Sequence, residues 1–194
     1  MNVYKSLEEC LHQMNNTLQC EGMTIYQHGV SVHETYLELL DILNHQKPNI
    51  YNIPPVLFTY YENNKSKLLT VDVMKEYHIM HDCGKPLCLE YDANNKRHFP
   101  NHAECSFLQY SELSNNTIIA DLIRRDMCFH TIKGEELKKL WESENSTSLY
   151  LTAWAEIISN SNMFGGIDSV SSKIKKKHLI KSLRSIWKKK HISH

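Results

Sequence analysis

A short run near the middle of the chain, His81-Asp82-Cys83-Gly84-Lys85, places metal-ligating and cationic side chains close together. An imidazole beside a carboxylate, called the His-Asp doublet below, offers a divalent cation two kinds of ligand atom at one point. Three residues past the aspartate, Lys85 carries an ammonium group that can meet an anionic substrate. An ordinary polar pair at a helix end is the alternative interpretation. We take the whole run to predict a site that hydrolyses phosphate esters.

The sequence on either side of the doublet predicts a helix that ends there. Thr70 can cap the start of this helix, because its side-chain oxygen can accept a hydrogen bond from the first turn. We expect Gly84 to adopt the left-handed conformation just past the helix end, and Pro86 prevents the helix from continuing. The doublet is therefore expected in the last helical turn, from which Lys85 can reach inward.

The string His-Asp-x-Gly-Lys resembles the signature of the HD superfamily of metal-dependent phosphohydrolases. That family places a first histidine ligand near the start of an earlier helix, and His28 within residues 26–32 is similar in form and distance. His33 is the competing candidate, but five positions along a helix turn it away from the face that carries His28. Apolar residues at helical spacing indicate that this helix docks against the helix that ends at the doublet.

Two later segments resemble the HD domains that are linked to tRNA nucleotidyltransferases. Phe99-x-x-His102 is similar to the segment that follows the doublet in those domains, and His102 is the matching residue. Asp126 matches a carboxylate of the same domains. We predict one helix over residues 118–130, on which Asp126 and His130 lie one turn apart on one face.

One departure from the family pattern affects the number of metals. Arg125 stands where the nucleotidyltransferase-linked domains often carry another histidine. Because an arginine does not bind a metal but does pair with phosphate oxygens, the resemblance implies either one metal or two. Glu156, in a helix that we expect to be buried, stands where many family members have aspartate. Asp126 and Glu156 therefore compete for the last ligand position, and the shorter side chain and the face shared with His130 favour Asp126.

The resemblance implies a divalent transition metal as cofactor, in one or two copies. Its ligands would be His28, His81, Asp82 and either Asp126 or Glu156. Imidazole and carboxylate ligands suit manganese, iron, cobalt, nickel and zinc, and the choice among these stays open. A metal held in this way lowers the pKa of a bound water molecule and binds a phosphoryl oxygen.

The remaining site residues are expected to act on the substrate. Lys85 would neutralise a nonbridging phosphoryl oxygen. His102, His130 or Arg125 would stabilise the charge that develops or protonate the leaving oxygen. If His102 and His130 instead hold a second metal, the site becomes a two-metal clamp. The sequence leaves both assignments open.

The elements that carry these residues are predicted to be helices. A chain of 194 residues with 41% apolar residues is long enough for one sizeable core and short for two. Only six glycines and five prolines, with few alternating patterns, favour a mostly helical fold. We therefore predict an all-α fold, with a single compact HD-type domain over residues 1–170 and a basic C-terminal helix over residues 171–194 packed on it.

The sequence predicts a cytoplasmic protein without a membrane partner. It contains no run of eighteen apolar residues, and acidic residues near its start occupy positions where a signal peptide has its apolar core. None of the six cysteines forms a Cys-x-x-Cys pair, so neither a zinc knuckle nor a thioredoxin-type site is indicated. We expect reduced thiols, as is usual in the cytosol.

Residues 171–194 form a strongly basic segment, called the basic tail below. They contain nine of the 22 Lys and Arg residues and no acidic residue, so residues 1–170 carry 13 basic against 22 acidic side chains. Apolar residues between the charges predict an amphipathic helix. Counterion release could draw such a helix to a nucleic-acid backbone. The candidate contacts are Lys173, Lys175, Lys176, Lys177, Lys181 and Arg184.

Two other interpretations of the basic tail stay open. It can be a terminal helix that packs its apolar stripe on the core and leaves its lysines in solvent. It can also be a membrane-surface helix, although it contains few of the bulky aromatic residues that favour this role.

As the leading function, the sequence predicts an HD phosphohydrolase that cleaves phosphate esters at RNA ends, either a 2′,3′-cyclic phosphate or a terminal monoester. The nucleotidyltransferase-like segments and the basic tail favour this substrate. Residues 160–169 resemble a subgroup of HD phosphohydrolases associated with RNA-end repair, which implies a repair kinase or ligase as partner. The alternatives are a phosphohydrolase of free nucleotides or deoxynucleotides, and a non-catalytic nucleic-acid-binding protein on the HD scaffold.

Overall fold

The structure, a computed structural model, describes residues 3–163 and 165–190 and is built mainly from helices. The α-helices are α1 (Leu7–Asn16), α2 (Ile25–Leu43), α3 (Pro55–Asn64), α4 (Val71–Met80), α5 (His102–Leu113), α6 (Thr117–Arg124), α7 (Cys128–Thr131), α8 (Gly134–Glu142), α9 (Ser146–Met163) and α10 (Val170–Lys190). Two short antiparallel ribbons pair β1 (Leu18–Cys20) with β2 (Met23–Thr24) and β3 (Glu90–Tyr91) with β4 (Arg97–His98). The predicted all-α fold is confirmed. None of the described helices combines the length and the apolar character needed to cross a bilayer.

The described part of the basic tail forms α10, in agreement with its amphipathic pattern. Residues 191–194 of the tail lie outside the described residues. So does Phe164, which belongs to the segment that resembles the RNA-repair subgroup. The resemblance of that segment therefore stays a sequence prediction.

The chain divides into two compact units. The first contains residues 1–33 and 71–126, and the second contains residues 34–70 and 127–194. The first nine residues of α2 belong to the first unit and the rest of that helix belongs to the second. These units do not test the predicted domain boundary at residue 170, which stays a prediction.

In the first unit, α6 packs against both α4 and α5. The side chain of Asn116 caps α6 by accepting a hydrogen bond from the backbone N–H of Ile119, at 3.3 Å. Ile119, Leu122 and Ile123 are fully buried, while Asp121 on the opposite face is exposed. Burial of this apolar stripe, at roughly 25 cal/mol per Å² of apolar surface, is what holds so short a helix in place.

In the second unit, aromatic rings form the centre of the core. Trp141 of α8 packs against Phe129 and Tyr150, with ring centroids 4.7 and 4.6 Å apart. The basic tail is part of this core, because Leu179 and Leu183 of α10 are fully buried. The hydroxyl of Tyr150 also donates to the carbonyl of Leu179, at 2.9 Å. The apolar side of α10 is thus anchored within its own unit, as one of the open interpretations requires.

One predicted helix is interrupted. Instead of a single helix over residues 118–130, α6 ends at Arg124 and α7 begins at Cys128. The N–H of Arg125 is shared between the carbonyls of Asp121 and Leu122, each at 3.1 Å, so the last turn tightens and the helix cannot continue. The prediction that Asp126 and His130 share one helical face was therefore wrong.

Candidate metal centre

The His-Asp doublet lies just beyond the end of α4, in a series of overlapping turns. His81 N–H donates to the Tyr77 carbonyl at 2.8 Å, which extends the helical hydrogen bonding by one residue. Lys85 N–H then donates to the Asp82 carbonyl at 3.0 Å, which folds the chain back on itself. These turns direct the side chains of the doublet into the interior, where both are almost fully buried.

Gly84 is needed here for a reason other than the predicted one. Its φ is −88°, in the right-handed region, so the expected left-handed conformation was wrong. A Cβ at this position would overlap the backbone of Cys105 and Ser106 in α5. The Gly84 N–H donates to Ser106 Oγ at 3.0 Å and locks the close approach. Glycine is required by packing rather than by backbone conformation.

A second glycine brings His28 to the doublet. Gly29, its neighbour in α2, lies directly against α4, and a Cβ there would stand 2.7 Å from the His78 carbonyl oxygen. Only a residue without a side chain allows the two helix backbones to approach so closely. The helix docking predicted from the apolar spacing therefore also depends on this glycine.

His28, His81 and Asp82 converge on one buried point of the first unit. One possible ligand atom from each lies within 4.8 Å of the others, and each of the three residues is at most 2% exposed. Asp82 Oδ2 lies 3.2 Å from His81 Nε2 and 3.7 Å from His28 Nε2. A ligand atom of Asp126, in the same unit, also lies within 4.8 Å of one of His81. These residues could therefore hold a metal ion.

Hydrogen bonds to backbone carbonyls indicate which ring nitrogens carry lone pairs. His81 Nδ1 lies 2.7 Å from the His78 carbonyl oxygen, and His102 Nδ1 lies 3.1 Å from that of Phe99. A carbonyl accepts only, so each Nδ1 is assigned the proton, and the neutral ring then has its lone pair on Nε2. With a neutral His81 ring, its Nε2 and Asp82 Oδ2 would be two electron-rich atoms in contact. The pair therefore favours either a proton on Nε2, which makes His81 cationic, or a metal ion between the two atoms.

Charges around Asp82 keep it in the form that binds a metal. Burial by itself raises the pKa of this carboxyl, but His81, Lys85 and His102 outweigh it and hold the pKa well below its usual value. Burial lowers the pKa of His102, and the attraction of Asp82 opposes this only in part. At neutral pH the site therefore offers a carboxylate and, at its half-buried edge, a neutral imidazole.

Lys85 forms an ion pair with Asp82, the carboxylate of the doublet. Its ammonium group donates to Asp82 Oδ2 and to Oε1 of Gln19, the second at 3.0 Å. The ammonium nitrogen also lies 5.4 Å from the centre of the Phe99 ring, within cation–π range. Asp82 Oδ1 is buried and accepts no hydrogen bond from the described residues, and it lies 3.9 Å from His102 Nε2.

Asp126 is buried in the first unit and accepts a hydrogen bond from the Tyr77 hydroxyl, at 2.6 Å. Arg125 beside it forms an ion pair with Asp121 on the preceding turn of α6. Its predicted contact with a phosphate oxygen therefore stays a prediction. Two other predicted site residues lie in the second unit, where His130 Nε2 is 3.4 Å from Glu156 Oε2. A role for either His130 or Glu156 at the metal also stays a prediction.

The cations of the basic tail differ in what they contact. Lys173 pairs with Asp168 at 3.4 Å, and Lys176 donates to the Tyr51 carbonyl at 3.0 Å. The others among the predicted contacts are exposed: Lys175, Lys177, Lys181 and Arg184. Lys176 is thus partly used in holding its own unit together, and the exposed four are better placed to meet a polyanion.

The sequence argument missed two residues of the first unit that shape the site. Tyr77 lies four residues before His81, a spacing that places both on one side of α4 and could have marked it as a partner. Gln19, which binds Lys85, comes from β1 and has no sequence signal. His33, the rejected competitor of His28, has its Nδ1 3.2 Å from that of His78, and it belongs to none of the groups among the described residues that could hold a metal ion.

The donor set could hold a metal ion. Two imidazole nitrogens and a charged carboxylate converge in a buried site, and His81 Nε2 lies 3.2 Å from the carboxylate oxygen. In comparisons with known proteins, no family model, no curated protein and no solved structure matches this chain. The geometry of the site and the sequence motif are therefore the basis for a proposed function.

Proposed function

We propose that the first unit carries an HD-type phosphohydrolase site that depends on a divalent transition metal. The observation that supports this most is the convergence of His28, His81 and Asp82 on one buried point, beside the cation Lys85. A buried carboxylate with its pKa held low is a ready ligand, and a lysine beside it is suited to an anionic substrate. The bound metal would supply an activated water molecule and a Lewis acid for a phosphoryl oxygen.

The chain's own residues have separate tasks in this proposal. His28, His81 and Asp82 hold the cofactor, and the hydrogen bond from Tyr77 orients Asp126 as a further ligand. Lys85 supplies positive charge for a nonbridging phosphoryl oxygen. His102, with its lone pair on Nε2 and its side chain 23% exposed, can accept a proton from the attacking water and return it to the leaving oxygen.

Phosphate ends of RNA are the proposed substrates, either a 2′,3′-cyclic phosphate or a terminal monoester. The exposed cations of α10 favour a polyanion. A free nucleotide or deoxynucleotide is the second candidate, and the burial of the site favours it, because a small molecule reaches a buried phosphate site more easily than a long strand does. A repair kinase or ligase as partner, and a non-catalytic nucleic-acid-binding role, are the further proposals that the motif allows.

Phosphate release by the purified protein would test this function. Manganese, iron, cobalt, nickel and zinc would each be added to metal-stripped protein with three substrates: RNA 2′,3′-cyclic ends, RNA 3′-phosphate ends and mononucleotides. His81→Gln and Asp82→Asn are expected to abolish turnover and metal binding. The controls are His98→Gln and Asp92→Asn, which alter an exposed histidine–aspartate contact of 3.0 Å in the same unit.

The substrate preference would choose between RNA ends and nucleotides. Metal binding without turnover of any substrate would reject the proposed hydrolase. Oligonucleotide binding in a protein that binds no metal would instead favour the non-catalytic alternative.

A further inference from the structure

A groove between α8 and α10 in the second unit gathers cations from both helices. Its volume is about 490 Å³. Lys133 and Lys138 line it on the α8 side, and His178 and Lys181 line it on the α10 side. The sequence predicted nucleic-acid contacts from α10 alone and none from Lys133 or Lys138.

The packing of the two helices makes this groove a preformed feature. Trp141 of α8 donates its ring N–H to Ser182 Oγ of α10, at 3.1 Å. Ser182 and Leu137 are buried at the base of the groove. Leu179 and Leu183 anchor α10 in the core of the same unit. The helix backbones that carry the cations on its two sides are therefore fixed relative to each other before a ligand binds.

The charge of the groove is positive. Glu135 is the acidic residue among its lining residues, and it forms an exposed ion pair with Lys138 at 3.5 Å, a type of contact that contributes little. Within the part of the chain that the structure describes, no carboxylate pairs with Lys133 or Lys181. His178 Nε2 is buried there without a hydrogen-bond partner among the described residues. A ligand with negative charge would satisfy all three.

The N-terminus of α8 adds backbone donors at the same place. Lys133 precedes the helix and provides no side-chain cap, and Gly134, its first residue, lines the groove. Uncapped N–H groups at a helix start are suited to an anion, and the helix dipole favours negative charge there. This supports the assignment that the cations and the cavity already indicate.

We propose that this groove binds the sugar-phosphate backbone of a single-stranded polynucleotide. This proposal rests on the proposed function in one respect, which is that the bound strand is the substrate RNA. Its described lining residues include no Phe, Tyr or Trp, so contacts with phosphates rather than base stacking carry the binding.

A neighbouring cavity of about 890 Å³ shares Lys138 and Ile186 with the groove. It adds Lys67 as well as Glu142 and Glu144, so its positive and negative side chains balance and it attracts a polyanion less than the groove does. The strand is therefore expected to follow the side marked by Lys133 and Lys181.

The test compares two double variants of the full chain that remove the same charge from the second unit. Lys133→Ala with Lys181→Ala alters the groove, whereas Lys139→Ala with Lys65→Ala alters exposed lysines of the same unit that do not line it. Binding of a fluorescent uridine oligonucleotide would be followed by anisotropy over a range of salt concentrations, with a chelator present. The groove variant should bind at least about tenfold more weakly, and its salt slope should fall by about 1.4. The control variant should lose less than about threefold.

Equal losses in the two variants would overturn the proposal, because the diffuse positive charge of the second unit would then explain the binding. Unchanged oligonucleotide binding in both variants would also overturn the proposal. Poly-glutamate that competes as well as the oligonucleotide would identify an acidic protein as the partner instead. His81→Gln serves to separate the two proposals: it should abolish turnover and leave oligonucleotide binding unchanged. Groove binding in a protein without any phosphohydrolase activity would reject the proposed function alone.

Discussion

The two units of the chain handle charge in opposite ways. In the first, Asp82 is fully buried, and His81, Lys85 and His102 lie close to it. In the second, the lysines of the groove between α8 and α10 stand at the surface, where solvent and salt screen them. A buried group depends on each partner, so single substitutions should have large effects. In an exposed groove several charges each contribute a small part of the binding, so single substitutions should have small effects.

Asp82→Asn should produce the largest effect. The amide keeps the shape but removes the charge that two imidazoles and Lys85 surround, and it leaves Lys85 without its carboxylate. Metal affinity, measured by calorimetry on metal-stripped protein, should fall by about 1,000-fold, or about 4 kcal/mol. Asp92→Asn, at an exposed aspartate of the same unit, should leave it unchanged. Equal losses in both would show that Asp82 is not a ligand.

Gly84→Ala should be the next most severe change. Its Cβ would overlap the backbone of α5 at Cys105 and Ser106, so one segment must move, at a cost of about 3 kcal/mol in the free energy of unfolding. Gly134→Ala in the second unit is the matched control. Gly134 has a φ of +64° with open space around its Cβ position, so only backbone strain of about 1 kcal/mol is expected there. Urea unfolding of both variants would measure the difference.

Lys85→Met should separate metal binding from catalysis. Lys85 donates to the same Asp82 oxygen that a metal would use, so its removal takes away a competing cation. Metal affinity should rise by about tenfold, or about 1.4 kcal/mol, while phosphate release falls. The two quantities would be measured on one preparation. A drop in metal affinity would mean that Lys85 supports the site instead of competing for it.

Lys138→Ala should have the smallest effect. Its ion pair with Glu135 is exposed, and such pairs contribute about 0–1 kcal/mol. The midpoint of urea unfolding should shift little, and oligonucleotide affinity should fall by less than about threefold. A loss of metal affinity in this variant would contradict the contrast drawn between the two units.

Local sequence signals predicted the parts of the site that depend on neighbours in the chain. The helix before the His-Asp doublet and the rejection of His33 follow from residue types and helical spacing, whereas His28 itself was proposed from the resemblance to the HD superfamily. The same signals failed at Gly84 and at residues 125–127. At Gly84 the reason for glycine lies in α5, more than twenty residues away, where its backbone touches Ser106. At Arg125 a shared hydrogen bond tightens the last turn of α6, which apolar spacing does not reveal.

Composition and periodicity by themselves determined that the chain is all-α, because the period of apolar residues reports which helix faces are buried. Residue types at fixed spacing located the doublet, and composition located the charge asymmetry of the basic tail. Tertiary structure alone decided that Gln19 binds Lys85, that Tyr77 binds Asp126, and that Lys133 and Lys181 line one groove. Each of these arrangements brings together residues from different parts of the chain. Side-chain packing and close backbone approach select such contacts, and no local pattern in the sequence encodes that selection.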